Sequence, residues 1–222
     1  MGDEAMGDEE SFDNVAPPKA GDVLTLSEGE VRGLDWSNQT IEGRVVFDSC
    51  HFTEDLLFRG ARFEEDVDFR GSTFTGTIAC EGASFLGGAR FDRAVFEKKV
   101  SFREAHFHRK VTFETARFEG FAAFRKAHFH QECDFDGAEF GETAQFHDIR
   151  ADGRFSAVEA LFNASSKDSE EEGYEPYTVF SNSRFEDVVD FTEARFEGTV
   201  RFILAIFEQE TRFSGATFNG YA

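Results

Sequence analysis

The chain has 222 residues, enough for one substantial domain or two small ones. It carries 44 acidic against 23 basic side chains, a net charge of −21, and this argues against direct nucleic-acid binding because phosphate contacts need a basic surface. Three cysteines exclude a disulfide scaffold, no apolar run approaches the roughly 18–20 residues of a membrane span, and the N-terminal stretch lacks the basic flank and apolar run of a secretory signal.

Residues 1–20 are acidic, poor in large apolar groups and contain Pro17-Pro18. A disordered tail is expected there, followed by a single domain over 21–222. Trp36 and Ile41 carry the spacing of the later phenylalanines backwards, so the regular part is expected to begin near Val31, with 22–30 capping its first coil.

Phenylalanine is the compositional anomaly, with 30 residues against 3 Tyr and 1 Trp. From Phe47 the rings fall at Phe52, Phe58, Phe63, Phe69 and Phe74. After Cys80 in the same role they continue from Phe85 to Phe146 in alternating steps of five and six. A small or β-branched residue usually precedes each by two places, as Ala61 precedes Phe63 and Val67 precedes Phe69, with a polar residue between. Apolar, polar, apolar is the signature of a strand with one buried face. The same spacing on a helix, at about 98° per residue, would set the two rings of a unit about 130° apart, too wide for a seam. Each half-unit therefore reads as a very short strand and a corner, stable only when stacked on its neighbours.

The half-units ARFEE, ASFLG, AVFEK, AHFHR, ARFEG, AHFHQ and AEFGE follow one another between 61 and 142, and ARFEG, AIFEQ and ATFNG return between 194 and 220. In this A-x-F-x-x form the chain resembles the pentapeptide-repeat family over most of 31–220. The resemblance implies an all-β fold, a right-handed quadrilateral β-helix. A strict pentapeptide makes twenty residues per coil; the extra residue in alternate half-units makes twenty-two, with two opposite corners enlarged. Residues 22 apart should then stack at about 4.8 Å, with Phe63, Phe85, Phe107 and Phe129 in one column and Phe52, Phe74, Phe96, Phe118 and Phe140 in another.

After Phe146 the pattern wavers: Ile149 with Ala151, and Phe155 with Ala157, exchange large and small. The stretch 163–179 interrupts it and is expected to be a loop expelled from a corner, a candidate partner-binding element carrying Lys167, Asp168, Glu170, Glu171, Glu172, Tyr174 and Tyr177. Phase returns from Phe180 to Phe218. An open β-helix end exposes backbone groups and rings, so Phe213, Phe218 and Tyr221 are expected to form an end-to-end homodimer contact.

The charge has two readings. Some bacterial members of the resembled family imitate duplex DNA and bind type II topoisomerases such as gyrase. Alternatively, arginine in excess of lysine and abundant acid fit a cytoplasmic protein of a salty cell. Setting aside −5 in the tail and −4 in the insertion leaves −12 on the solenoid. On a rod of about 40 Å, duplex DNA would carry roughly 24 charges. The residues following Phe47, Phe69, Phe91, Phe113 and Phe135 are largely acidic (Asp48, Arg70, Asp92, Glu114, Asp136). Those following Phe58, Cys80, Phe102, Phe124 and Phe146 are largely basic (Arg59, Glu81, Arg103, Arg125, His147). A basic row counts against mimicry.

His106, His108, His128 and His130 flank Phe107 and Phe129 with a spacing of 22, which stacks four imidazoles on one outward face, a set that could hold a transition metal. No carboxylate is evident beside them. No phosphate loop, nucleophile elbow or zinc-protease motif occurs, and a filled solenoid is expected to have no cleft, so neither catalysis nor a cofactor is expected. The function expected is that of a non-catalytic interaction rod or scaffold.

Overall fold

A computed structural model of the chain describes residues 11–12, 15–164 and 177–220. Every regular element in it is a strand, most of them two residues long. In one representative coil, strands His51–Phe52, Leu56–Leu57, Arg62–Phe63 and Val67–Asp68 succeed one another before Thr73–Phe74 returns to the first position. Each pairs in parallel with the strand 22 residues away, which builds four sheets of 10, 8, 8 and 9 strands. We call them I to IV in that order. Strands this short hold no register alone; the backbone bonds between coils supply it, as Arg62 N–H to Gln39 C=O and Phe58 N–H to Ala79 C=O.

The rings point inward and stack coil upon coil. On sheet III, Phe63, Phe85, Phe107 and Phe129 lie 4.9, 4.9 and 5.3 Å apart between centroids, with planes within 5° of parallel. Phe52, Phe74, Phe96, Phe118 and Phe140 form the expected column on sheet I at 4.6–5.2 Å. Rings from adjacent faces meet edge to face, as Phe113 meets Phe124 at 5.6 Å and 83°. Each contact of this kind adds about 0.5–1.5 kcal/mol beyond area burial, and full burial of each ring contributes roughly 1.5–3 kcal/mol.

Exchange of large and small residues conserves core volume. Ala151 and Ala157 take column positions between phenylalanines, while Phe155 takes the place held by Cys133 and Val189 above and below it. Its ring then packs against Phe135, Phe146, Phe180 and Phe185 at 5.3–5.9 Å. Cys80, standing where a ring would stand, leaves a void of about 10 Å³. The free thiols of Cys50, Cys80 and Cys133 are buried, and burial pushes all three up from the ordinary thiol range.

The five-six alternation is a corner effect. Residues 53–55 join sheet I to sheet II, whereas 58–61 join II to III; the IV-to-I corner matches the latter. The larger corners are turns in which Ala61 N–H donates to Phe58 C=O, with Gly60 at φ +61° in the third position. A left-handed residue recurs every eleven positions from Asn38 to Glu159 and again from Asn182 to Gly215. Arg93, Glu104, Thr115 and Lys126 hold this conformation without glycine, at a cost the packed coils on either side must offset.

Two boundaries differ from expectation. Residues 11–12 and 15–20, expected to belong to a disordered tail, lie against the body: Ser11–Phe12 pair with Glu30–Val31, and the Trp36 indole donates to Val15 C=O at 2.9 Å. The solenoid starts well before Val31, because Val23–Ser27 pair with Arg44–Asp48 and set Leu26 beside Phe47. Leucines do the work of phenylalanines in that coil and so hide its phase.

Gly82 separates conformation from space. Its φ is +66°, and a Cβ there meets nothing within 4 Å. Gly82→Ala is therefore expected to destabilise by about 1 kcal/mol through conformation alone. At Gly87 a Cβ would overlap the backbone of Glu65 and Asp66 in the coil below, so Gly87→Ala should cost more. Urea unfolding of both variants checks the order; equal losses would refute it.

Candidate functional site

The outward residues of sheet III form two columns. Arg62, Ser84, His106, His128, Arg150 and Arg184 precede the inward residue, in register coil to coil. Two places on in each coil stand Glu64, Leu86, His108, His130, Asp152 and Glu186. The four imidazoles come together as the spacing requires: His108 and His130 stack at 4.5 Å and 7°, His128 and His130 lie 3.6 Å apart, and His106 is 5.8 Å from both His128 and His130.

A carboxylate does stand beside them, contrary to the expectation from sequence. Asp152 Oδ2 is 2.8 Å from His128 Nε2 and 3.6 Å from His130 Nδ1. Arg150 Nε donates to its other oxygen at 2.6 Å, and Arg150 also pairs with Glu186 at 2.8 Å. Burial works against ionisation of Asp152, yet hydrogen bonds from Arg150 and His128 hold its carboxyl below the usual range. Burial pushes His106 below the ordinary histidine value, with His128 and His108 reinforcing the shift. Burial does the same to His130, where Asp152 opposes and the neighbouring imidazoles assist. His130 Nε2 is buried without a hydrogen-bond partner. Two donor sets, each with its ligand atoms within 4.8 Å of one another, share this residue: His106, His108 and His130, and His128, His130 and Asp152.

Lys167, Asp168, Glu170, Glu171, Glu172 and Tyr174 of the insertion lie outside the described residues, as does Tyr221. Tyr177 is not a loop residue: it opens the strand Tyr177–Val179 on sheet II, in register with Thr199–Arg201, and the Arg201 guanidinium sits 3.7 Å from its ring centre. Phe213 and Phe218 stack on Phe191 and Phe196 and are 38% and 40% exposed. Ile203, Leu204 and Ile206 of the same coil are more exposed still, at 61%, 76% and 50%. Spacing could not show these three, because they occupy positions that earlier coils fill with polar groups.

The acidic and basic rows run along corners, each row occupying the second position of the enlarged turns. Opposite charges also meet across coils, as in Arg59–Glu81 at 3.2 Å, Lys110–Glu132 at 3.3 Å and Arg117–Glu139 at 3.5 Å. On sheet IV the buried Asp68 carboxylate takes a bidentate pair from Arg70, both bonds at 2.8 Å, and Asp190 accepts from Arg154 and Arg212 at 3.1 and 3.3 Å. The surface is not featureless, as a filled solenoid implied. The two smaller corners carry open polar grooves of about 700 and 750 Å³, one beside Gly33, Gly76 and Lys98, the other beside Gly87, Gly88 and Arg109.

Four parallel sheets, one ring column per face and a 22-residue lap define a β-solenoid of paired five- and six-residue units. The chain belongs to the pentapeptide-repeat family: the family described as pentapeptide repeats (9 copies) matches at 47–95, 81–126, 91–139 and 180–222. Among solved structures, full-length QnrB1, titled a plasmid-mediated fluoroquinolone resistance protein, aligns over 94% of this chain and 93% of that chain. The identity is 11% and the TM-score 0.25. No curated protein matches the chain. No helix among the described residues is long and apolar enough to cross a membrane.

Asp134, buried on sheet IV, provides a signed pH test. Burial raises its carboxyl to about 6; the Asp136 N–H, donating to Oδ1 at 3.0 Å, opposes this, the negative charges of Asp136 and Glu114 add to it, and Lys110 works against it. A folded value above the unfolded 3.8 means that the protonated form favours folding, so this group's contribution is lost as pH rises from about 4 to 6. Asp134→Asn is expected to raise Tm by a few degrees at pH 7.5, with the gain closing towards pH 4. A gain independent of pH would refute the assignment.

Proposed function

We propose that the chain is a non-catalytic protein-interaction rod, a rigid scaffold working in a salty cytoplasm. The observation that supports this most is the filled core: the interior is occupied by stacked rings, and the polar groups lie on flat sheets and shallow corners. Chemistry on a substrate needs groups that converge in a water-excluding site, whereas recognition of another protein needs only a firm surface. Partner contact is assigned to the insertion between 163 and 179, which rejoins the body at Tyr177 on sheet II. The last coil is assigned to a second copy of the chain. Its rings Phe213 and Phe218 would meet those of the partner copy, and Ile203, Leu204 and Ile206 extend the apolar area.

The charge pattern favours this reading over imitation of DNA. Arg59, Arg103 and Arg125 line one corner, and the ion pairs between coils neutralise part of the acid locally. Purified protein is expected to leave gyrase supercoiling unchanged; inhibition near stoichiometric ratios would replace the scaffold reading with topoisomerase binding. The charge left uncompensated, a net −21, still repels itself, so Tm is expected to rise between low salt and molar KCl, and a fall would count against the salt-adapted cytoplasm. In sedimentation, the double variant Phe213→Asp/Phe218→Asp should be monomeric where the native chain dimerises; a monomeric native chain would remove the end-to-end contact. Affinity capture with and without 165–176, a deletion that leaves a three-residue corner of Asn163, Ala164 and Tyr177, tests the insertion: a partner retained by both forms would clear it of that role.

A further inference from the structure

We propose that His106, His108 and His130 form a three-imidazole site for a divalent transition-metal ion of the zinc, nickel or copper class, with Asp152 as the carboxylate that orients His130. Imidazole nitrogen is the ligand these ions share. One nitrogen from each of the three residues lies within 4.8 Å of the others. A tetrahedral ion with ligands at about 2.0–2.1 Å needs nitrogens about 3.3 Å apart, so ring rotations of an ångström or so close the site. His106 and His108 are exposed on the outer face, and their rings have room to make that turn.

His130 points to a ligand independently of the clustering. Its Nε2 is buried and makes no hydrogen bond, although a buried imidazole nitrogen ordinarily finds a partner. Its Nδ1 faces Asp152 Oδ2 at 3.6 Å. That is an ion-pair distance rather than a hydrogen bond; closing to a hydrogen bond as the ring turns, the carboxylate would hold His130 in tautomer and direction while Nε2 stays free for the metal. Asp152 is itself held, by Arg150 on one oxygen and by His128 on the other. That 2.8 Å contact engages His128 with the carboxylate and makes the set His128, His130 and Asp152 the poorer donor set. Three imidazoles leave a fourth position for water or for a ligand from outside. Because the ligands come from consecutive coils, the bound ion would also clamp one coil to the next.

Isothermal titration of ZnCl2 and of NiCl2 into the full chain at pH 7.5 tests this. One ion per chain is expected, together with a rise in Tm on loading. His108→Ala, at an exposed position outside the core, should retain the fold by circular dichroism and lose binding at least tenfold. Asp152→Asn should weaken binding by about 10–100-fold, the usual effect of removing such a supporting group. His51→Ala, on sheet I, should change nothing. Absence of binding heat in the native chain would overturn the proposal, and so would binding by His108→Ala equal to that of the native chain.

Discussion

Contact between coils is the constraint on which the rest of the structure depends. A two-residue strand buries almost nothing and fixes no register. Laid 22 residues further along the same chain, it gains two backbone partners and a ring at about 5 Å, and the gain is repeated on four faces. Inward positions must then match along the whole column, because a ring left without its neighbour opens a void, as Cys80 does between Phe58 and Phe102. Exceptions are tolerated only where volume returns from another direction. Phe155 does this for Ala151 and Ala157 by turning one ring into the space of two missing ones.

The corners carry the opposing cost. A quadrilateral lap turns sharply four times, and two of those turns hold one residue in the left-handed region. Glycine accepts that at Gly60, Gly71 and Gly82, but Arg93, Glu104, Thr115 and Lys126 do not relax it. The strain persists because the strands on either side are already committed to their neighbours. The charged side chains then stand at the outer edge, where they pair across coils: Lys126 reaches Glu104 at 3.5 Å, one lap below. Corner strain and surface charge are thus coupled, since the positions least suited to a side chain by backbone conformation are best exposed to solvent.

Phenylalanine spacing alone carried the ring columns, the length of the lap and the enlargement of opposite corners, because each follows from one inward residue per face. It also brought the four histidines together. The same spacing locates Asp152, 22 residues after His130 and 44 after His108, but it lies outside the repeated AHFH units that mark the histidines, as the third member of a column that is no longer histidine. The first coil was hidden for a chemical reason. Leu26 takes the place of Phe47 and Leu24 that of Val45, both half-buried against the core, so phenylalanine spacing stops short of a strand that packs in the same way. The corner grooves depend on the volume of residues that face solvent, which inward periodicity does not constrain.

Duplication has a specific chemical consequence in such a fold. In most architectures a repeated segment lands at a distance set by the loops between copies. Here any residue copied one lap later lands beside its original at strand spacing, facing the same way. Most pairs so formed are unfavourable when the residue is charged, and on sheet III arginine meets that difficulty by pairing with the acid two places on in its own coil, as Arg150 does with Asp152 and Arg184 with Glu186. Histidine is the exception among polar residues, because neutral imidazoles can stack without repulsion and two adjacent pairs present several nitrogens to one point. A single acid in the next lap, Asp152, then suffices to anchor the cluster. A flat and rigid surface built only by stacking can in this way acquire a localised ligand set without forming a cleft.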